Sequence, residues 1–487
     1  MKPTTATRRP DEPRAPSPSA HVPGAARRAA LYRLIWRWHF YAGLFCIPFV
    51  LALSLTGSVY LFRPQIDAWL DAPYNHVGAD APRRPVSEQV RAALAAVPGT
   101  VLNAYQLPEG PTHAAQVLVG KGNELYRVYV DPVTAEVLHS VAEDQRFSRQ
   151  LFHLHGELLL GETGSALVEL AACWTVVMLL TGLYLWWPRG SRLAGVVYPR
   201  LGRHGRLFWR DLHAVVGFWV SLFALLLILT GLPWATFWGG ALKDLRQWAA
   251  GQQVQQDWTT GRASELAERR AANGPIHDEH AGMPGMQHDM PVPAARPDYR
   301  PLDRLAPAVQ ALALPAPVLL APPSAKAANW TARSDAANRP QRVNLVLDPA
   351  DGSILKRVDF AQRPLLDRVI GYGVAAHEGQ LFGLANQLLG VFVTLGLVIL
   401  SVSGLVLWWR RRPQGVLGAP PAKAEARYPM LVLLILALLG LYMPLLGLSM
   451  LLLLLLERGL LSRIPPLRRF LGLEPEAYPG GGAGSRL

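Results

Sequence analysis

Five long stretches of this sequence contain no Asp, Glu, Lys or Arg, and they constrain the fold more than any other feature. They are Phe40–Phe62, Leu170–Pro188, Leu212–Leu242, Leu381–Trp409 and Tyr428–Leu456. A helix needs about 20 apolar residues to cross the hydrocarbon core of a bilayer, so each stretch is long enough to be a membrane span. Only 17% of all residues are charged, whereas soluble domains average about 25%. The sequence therefore predicts an integral membrane protein with at least five spans and excludes a soluble globule.

The basic residues that flank these stretches predict how the protein lies in the membrane. Residues 1–37 contain eight Lys or Arg and two acidic residues, and residues 189–206 contain five Arg and no acidic residue. Residues 410–427 contain five Lys or Arg and one Glu. Because cytoplasmic segments of membrane proteins are enriched in Lys and Arg, these three segments, and with them the N-terminus, are predicted to be cytoplasmic. This orientation accounts for the net charge of +13, so we expect no nucleic acid partner.

An internal repeat relates the spans in pairs. When His39 is aligned with His213, both are followed by Gly at +4 and by Thr-Gly at +17 and +18. When His155 is aligned with His377, both are followed by a hydroxyl residue and Gly at +26 and +27, and by Trp-Trp at +31 and +32. A span, an external segment and a second span thus occur twice in the same orientation, which predicts a pseudo-two-fold axis along the membrane normal. The matched small residues are Gly43, Gly217, Thr56, Gly57, Thr230, Gly231, Thr181, Gly182, Ser403 and Gly404.

Both external segments have the pattern of a small α+β domain. In the first, residues 87–97 have amphipathic helical spacing, and the runs at 115–119 and 125–130 alternate as strands do. Residues 131–134, and 348–352 in the second segment, have the composition of tight turns. We therefore expect two small domains, each ending in a hairpin.

His39 and His213 lie at the predicted cytoplasmic ends of spans 1 and 3. A single histidine there is more often an interfacial side chain bonded to the backbone or to a lipid headgroup. Here the repeat makes two histidines equivalent, so the pseudo-two-fold axis brings them to face each other. A metal or haem iron between them would receive two imidazoles. Gly43 and Gly217 lie one helical turn further on the same face and leave room for a flat macrocycle.

His155 and His377 form a second matched pair outside the predicted hydrocarbon core, and His153 is an alternative to His155. The Thr-Gly and Ser-Gly pairs of spans 2 and 4 are level with His39 and His213. Those of spans 1 and 3 are nearer His155 and His377. This placement predicts that they contact a bound group, although small residues also allow helices to pack closely without any ligand.

A third set of candidate ligands lies in a stretch rich in Pro, Gly, His and Met between spans 3 and 4. Thioether and imidazole side chains together suit copper, and a low-complexity linker is the other interpretation. We expect this stretch to be dispensable for the histidine pairs. The candidate copper ligands are His277, His280, Met283, Met286, His288 and Met290.

The motifs H-x3-G…TG and HG…TGLYLWWPR, with an external D-P-x-[TD] turn in each repeat, resemble those of the PepSY-associated transmembrane helix family of bacterial iron-regulated membrane proteins. That family includes inner-membrane reductases of periplasmic ferric siderophores, which carry two b-type haems. The resemblance covers roughly residues 30–460. It implies that His39 and His213 ligate an inner haem b, and that His155 and His377 ligate an outer one. The sequence departs from the family pattern at Ala135, where Gly is frequent, and in the Met/His-rich stretch, which leaves a copper-related variant open.

Together these patterns predict an integral membrane α-helical bundle of four core spans, arranged as two parallel repeats, with a C-terminal span and two small periplasmic α+β PepSY-like domains. Pro444 interrupts the C-terminal span, so a broken hairpin that returns to the cytoplasm is an alternative. The predicted segments are a disordered cytoplasmic arm (1–30), span 1 (31–62), periplasmic domain 1 (63–145), a His segment with span 2 (146–188), a cytoplasmic loop (189–207), span 3 (208–238), a periplasmic linker (239–300), periplasmic domain 2 (301–362), a His segment with span 4 (363–410), a cytoplasmic loop (411–427), span 5 (428–457) and a tail (458–487).

The function that the resemblance implies is a di-haem oxidoreductase of the bacterial inner membrane. It would pass electrons from an unidentified cytoplasmic or membrane donor to a ferric siderophore or another periplasmic metal chelate, and it needs no acid–base residue. The alternative is a non-enzymatic PepSY sensor or protease-modulating protein whose histidines are merely interfacial. A transporter is disfavoured because the predicted spans lack buried acidic or basic residues.

Overall fold

A bundle of long helices adjoins an eight-stranded antiparallel sheet in the computed structural model. The structure describes residues 23–78, 81–121, 124–188, 193–250, 298–323, 329–420 and 429–473. The helices are α1 (Pro23–Tyr60), α2 (Arg63–Asp71), α3 (Val86–Ala96), α4 (Phe147–Glu157), α5 (Gly161–Trp186), α6 (Arg206–Gly231), α7 (Thr236–Ala250), α8 (Leu302–Gln310), α9 (Leu365–His377), α10 (Leu384–Arg411), α11 (Met430–Tyr442), α12 (Pro444–Gly459) and α13 (Pro465–Leu471). The strands are β1 (Val101–Gln106), β2 (Ala115–Lys121), β3 (Glu124–Val130), β4 (Val137–Ala142), β5 (Val318–Ala321), β6 (Trp330–Ser334), β7 (Val343–Leu347) and β8 (Ile354–Asp359).

Four helices of the described chain are long and apolar enough to cross a membrane. They are α1, α5, α6 and α10, which we call spans 1 to 4. Spans 1 and 3 each pack against both span 2 and span 4, so they lie across the bundle from one another. Glycines permit this packing, since a Cβ at Gly396 would lie 2.5 Å from Val220. We call the end of the bundle with Arg37, Arg206 and Arg411 the basic end, and the opposite end the sheet end.

The two external segments form one continuous sheet instead of two separate sheets, and each half ends in the expected hairpin, β3-β4 and β7-β8. The strand order is β4-β3-β2-β1-β5-β6-β7-β8, and β1 of the first segment pairs with β5 of the second through Tyr105 and Leu320. Helices α3 and α8 are joined by two hydrogen bonds from Ser87 to the Asp303 carboxylate, at 2.7 and 2.8 Å. Pairing is favoured because separate four-stranded units would leave the backbone groups of β1 and β5 exposed as sheet edges.

The turn at the end of each half of the sheet has the same geometry in spite of one sequence difference. Ala135 has a φ of +62°, and Gly352, which follows Asp348 at the same interval, has a φ of +79°. Gly takes this left-handed conformation without strain, whereas an L side chain costs roughly 1–2 kcal/mol. The departure from the family pattern at Ala135 is therefore accommodated at a local energetic cost and leaves the turn intact.

The predicted fifth span is a hairpin of two shorter helices, α11 with 13 residues and α12 with 16. Pro444 begins α12, and a Cβ at Gly440 would lie 3.1 Å from the Cα of Gly447, so the two helices lie close together beside the break. After the hairpin, the Leu417 N–H donates to the Phe470 carbonyl at 2.8 Å. Since the segments before and after the hairpin touch, the chain returns to the basic end, as in the broken-hairpin alternative.

Two predicted boundaries also differ from the structure. Helix α1 begins at Pro23, inside the predicted disordered arm, because a Pro at the first turn and the Ala- and Arg-rich sequence after it favour a helix. Span 3 ends at Gly231, and α7 then occupies the start of the predicted linker. The candidate copper ligands, at positions 277–290, lie outside the described residues.

Two acidic residues are buried within the spans, contrary to the expectation that the spans lack such groups. Glu169 of span 2 is 3% exposed, and its carboxylate accepts the backbone N–H groups of Phe237 and Trp238 at 2.8 and 3.0 Å. Asp211 of span 3 is fully buried and is paired with Arg200 at 2.6 Å. Each residue directly precedes an uncharged stretch, so counting only those stretches missed it. Both carboxylates have partners and need no transported ion to explain them.

Candidate functional site: two facing histidine pairs

The bundle brings His39 of span 1 and His213 of span 3 together near the basic end. Their ring centroids are 6.2 Å apart, and their planes are inclined at 82°. The two histidines come from equivalent positions of the two repeats, and they meet because spans 1 and 3 face each other across the bundle. The structure therefore has the pairing that the repeat predicted.

Each ring of this pair is oriented by hydrogen bonds from the neighbouring span of its own repeat. The opposite repeat supplies none of these bonds. Nδ1 of His39 lies 3.0 Å from the Met178 carbonyl and 3.2 Å from the Thr181 hydroxyl of span 2. Nδ1 of His213 lies 3.1 Å from both the carbonyl of Leu400 and the hydroxyl of Ser403 in span 4. A carbonyl oxygen only accepts hydrogen bonds, so Nδ1 carries the hydrogen and donates it.

His155 and His377 form the second pair, at the sheet end. Nδ1 of His155 lies 2.9 Å from the Thr56 hydroxyl of span 1. Nδ1 of His377 lies 2.8 Å from the Leu227 carbonyl and 3.3 Å from the Thr230 hydroxyl of span 3. Both histidines line one cavity with a volume of about 240 Å³. The outer pair therefore repeats the hydrogen-bonding arrangement of the inner pair.

His155 and His377 precede the membrane spans, and burial favours the neutral form of both rings. Burial, and then the nearby His377 imidazole, lower the pKa of His155 to about 4. Burial likewise lowers the pKa of His377. A neutral imidazole whose Nδ1 bears the hydrogen has a lone pair on Nε2, which is the form that binds metals.

His153, the alternative to His155, has a different environment. Its Nδ1 lies 3.0 Å from the Glu157 carboxylate in the next turn of α4. It is not among the described residues that line the cavity, whereas His155 and His377 both are. The structure thus places His155 in the same cavity as His377 and pairs His153 with an acid.

The four motif glycines make room for the histidine rings themselves. A Cβ at Gly57, Gly182 or Gly231 would lie 3.0 to 3.1 Å from Cε1 of the ring beside it, and a Cβ at Gly404 would lie 3.5 Å from His213. The first three contacts would be tighter than ordinary packing allows. These glycines therefore let each imidazole lie directly against the neighbouring helix, where the adjacent hydroxyl receives its hydrogen bond.

Gly43 and Gly217 are not in contact with the histidine rings. A Cβ at Gly43 would meet only the Met178 sulfur, at 3.9 Å, and a Cβ at Gly217 would lie 3.3 Å from Leu400. Their small size thus affects packing between spans 1 and 2 and between spans 3 and 4. The expectation that they leave space for a macrocycle stays a prediction.

The geometry of the inner pair fits one metal ion bound between two imidazoles. A metal–imidazole nitrogen bond is about 2 Å long, which puts the centres of two rings on opposite sides of one ion roughly 6 Å apart. Within the described ranges, no group of three or more His, Cys, Asp or Glu side chains is placed to hold a metal, and no hydrogen bond engages Nε2 of the four histidines. Each pair therefore offers two nitrogen donors, so a metal held there would need its remaining ligands from another group.

The backbone carbonyls that fix the rings were not among the sequence-predicted site residues. Each belongs to the residue three positions before a motif hydroxyl: Met178, Leu400 and Leu227 precede Thr181, Ser403 and Thr230 in this way. The Leu53 backbone, three residues before Thr56, likewise bonds His155. The Thr-Gly motif contained the information needed to predict these carbonyls. A threonine hydroxyl in a helix donates to a carbonyl of the preceding turn, and the two oxygens together then accept a hydrogen bond from one nearby donor.

The fold and the site define a multi-span helical membrane protein with two repeat-related histidine pairs and an external antiparallel sheet. Residues 36–411 match the family described as the PepSY-associated TM region. The match covers more than half of the chain, so this protein belongs to that family, and the resemblance inferred from its motifs is confirmed. A search among curated proteins found no match.

Proposed function

We propose that this protein is a membrane oxidoreductase that holds two b-type haems and carries electrons from the basic end of the bundle to a ferric chelate at the sheet end. One observation carries the proposal. Four partly buried imidazoles form two pairs, each imidazole is anchored through Nδ1, and Nε2 is available to a metal. The family resemblance supports the cofactor and the substrate class, which includes ferric siderophores.

The chain's own residues would hold and orient the cofactors. His39 and His213 would bind the haem at the basic end, and His155 and His377 the one at the sheet end. When bound, each haem supplies a one-electron redox couple whose potential depends on its imidazole ligands and its apolar surroundings. The hydrogen bonds to Nδ1 keep every ring in one tautomer and one orientation, and such bonds also raise the basicity of the ligand nitrogen.

The positions of the pairs support transfer across the membrane. His39 bonds span 2 near the basic end, while Thr56, seventeen residues further along span 1, bonds His155. Seventeen residues of helix correspond to about 26 Å, which is close to the thickness of the hydrocarbon core. With the Lys- and Arg-rich segments in the cytoplasm, the basic end would receive electrons and the sheet end would face the periplasm.

The sheet end also offers a place for a bulky substrate outside the bundle. Helices α4 and α9, which carry the outer histidines, precede spans 2 and 4 and follow β4 and β8 closely in the chain. A ferric chelate is polar and too large to enter the closely packed bundle. We therefore propose that it binds beside the outer pair, next to the sheet.

Purified protein tests this proposal directly. We expect a red preparation with two b-type haems per chain, measured as the ratio of pyridine haemochrome to protein, and a reduced spectrum with a sharp b-type band. A colourless protein that also fails to take up haem when it is titrated in detergent would contradict the proposal. Its histidines would then be interfacial, as in a sensor.

A hydrogen-bonding variant tests whether the hydroxyls position the rings. Ser403→Ala removes the hydroxyl that His213 contacts at 3.1 Å but keeps the Leu400 carbonyl. Loss of such a supporting bond typically weakens metal binding by about 10–100-fold, and we expect the lower value here. Ser401→Ala is the matched control, because Ser401 is also buried in span 4 and bonds only the Leu397 carbonyl of its own helix. Equal haem affinity in the two variants, measured by titration of the apoprotein, would show that Ser403 has no positioning role.

A further inference from the structure

A second cavity, with a volume of about 290 Å³, lies at the basic end and is separate from both histidine pairs. It is formed where span 1, the end of span 4, the loop after span 4 and the C-terminal helix α13 meet. Trp36 lies one helical turn before His39, so the cavity is near the inner pair. Its lining residues in the described chain are Trp36, Arg411, Pro413, Val416, Gly418, Ala419, Pro420, Arg469 and Gly472.

The charged side chains that line this cavity, in the part of the chain that the structure describes, are Arg411 and Arg469. Arg411 is partly buried, forms no ion pair with a described carboxylate, and lies close enough to Arg206 for their charges to repel. A cation removed from water costs free energy unless an anion compensates it. A bound anion would therefore be strongly favoured beside Arg411.

The guanidinium of Arg411 is already held in place. It donates to the Gly418 carbonyl at 3.0 Å and lies 4.4 Å from the centroid of the Trp36 ring. Arg37 donates to the carbonyls of Pro420 and Gly472, which fixes two further walls of the cavity. A ligand would therefore lose little affinity to the ordering of side chains.

The chemistry of the lining indicates the class of ligand. Guanidinium groups bind phosphate through paired hydrogen bonds and also stack on planar groups. The remaining described lining has no charged or polar side chain and consists of Trp36, Pro413, Val416, Gly418, Ala419, Pro420 and Gly472. We propose that this cavity binds the phosphate group of a phosphate ester, with Arg411 as its principal ligand and the apolar wall in contact with the organic part.

Two kinds of molecule carry such a group at this end of the protein: a soluble nucleotide and an anionic phospholipid. A reduced nucleotide bound here would lie one helical turn from His39 and would be an electron donor for the proposed oxidoreductase. A phospholipid would instead anchor α13 to the membrane surface. Phosphate binding in this cavity does not require a bound haem. It can therefore be tested separately from the proposed oxidoreductase function.

The experiment uses the full-length protein in nanodiscs of neutral phosphatidylcholine. Flavin mononucleotide is titrated and followed by fluorescence anisotropy, and retention of added phosphatidylglycerol is followed by native mass spectrometry. Arg411→Gln should weaken the binding of whichever probe is bound by at least about tenfold, and Arg411→Lys should restore part of it. The matched control is Arg412→Gln, because the Arg412 guanidinium lies over the rings of Trp408 and Trp409 and does not line the cavity.

Each outcome decides the proposal. Saturable flavin nucleotide binding that depends on Arg411 supports the site with a soluble nucleotide as the ligand. Retention of phosphatidylglycerol alone, again dependent on Arg411, supports it with a lipid headgroup. Binding of neither probe, or equal binding by the wild type and Arg411→Gln, would overturn it. The same titrations on His39→Ala should be unchanged, so the loss of a haem cannot be mistaken for failure of this site.

Discussion

Replacing either histidine of the inner pair by Ala is expected to halve the haem content, from two per chain to one, while the protein still inserts into the membrane. The two rings face each other at 6.2 Å and contribute one nitrogen each. Either variant therefore leaves a single imidazole ligand on the inner haem. The outer pair is bonded to spans 1 and 3 at their sheet ends, through Thr56 and Thr230, so its haem should remain. Haem-to-protein ratios of purified His39→Ala and His213→Ala check this expectation.

Two controls separate ligation from misfolding in this experiment. His204→Ala removes an exposed histidine at the basic end and should leave two haems per chain. His39→Gly leaves a cavity that added imidazole can fill, so imidazole should restore binding of the second haem. Full haem content in both His39→Ala and His213→Ala would show that this pair does not bind haem.

Removal of the outer pair is expected to stop reduction of an external ferric chelate while the inner haem can still be reduced. His155 and His377 line the cavity at the sheet end, where the chelate is proposed to bind. In proteoliposomes of known orientation, the haems are first reduced, and a ferric chelate is then added on the sheet side. Re-oxidation should be fast in the wild type and at least about tenfold slower in His155→Ala and His377→Ala, which lack a ligand of the outer redox centre.

His153→Ala is the matched control for the outer pair. His153 is two residues from His155, but it pairs with Glu157 at 3.0 Å and does not line the cavity among the described residues. Its replacement should leave the re-oxidation rate unchanged. If the wild type, His155→Ala and His377→Ala re-oxidise at the same rate, electrons do not pass through the outer pair. The proposed direction of transfer would then be abandoned.

Local patterns predicted much of the candidate site. The repeat spacing paired His39 with His213 and His155 with His377, and the structure brings the first pair within 6.2 Å and the second into one cavity. The Thr-Gly and Ser-Gly motifs were expected to be level with these pairs. They are, and the hydroxyls bond the rings directly. Such features are predictable because a helix fixes the axial position of every side chain through its constant rise per residue.

Other features depended on contacts between segments far apart in the chain. The pairing of β1 with β5, the return of the C-terminal hairpin to the basic end and the cavity beside Arg411 all join residues separated by roughly fifty to several hundred positions. Neither hydrophobic periodicity nor charge counting shows which strand edges or which ends of helices will be in contact. The partners of the Glu169 carboxylate were unpredictable for the same reason, since they are the backbone N–H groups at the start of α7.

The amino-acid sequence alone predicted the four long spans, the duplication, the family and the two histidine pairs, because each follows from the spacing and polarity of neighbouring residues. Tertiary structure alone showed that His153 bonds Glu157 whereas His155 and His377 line one cavity, and that the neighbouring span of the same repeat orients every ring. It also joined the external segments into one sheet. The physical reason is that these choices depend on which donors, acceptors and strand edges lie within a few ångströms after the helices pack. Packing brings together groups that have no regular spacing along the chain.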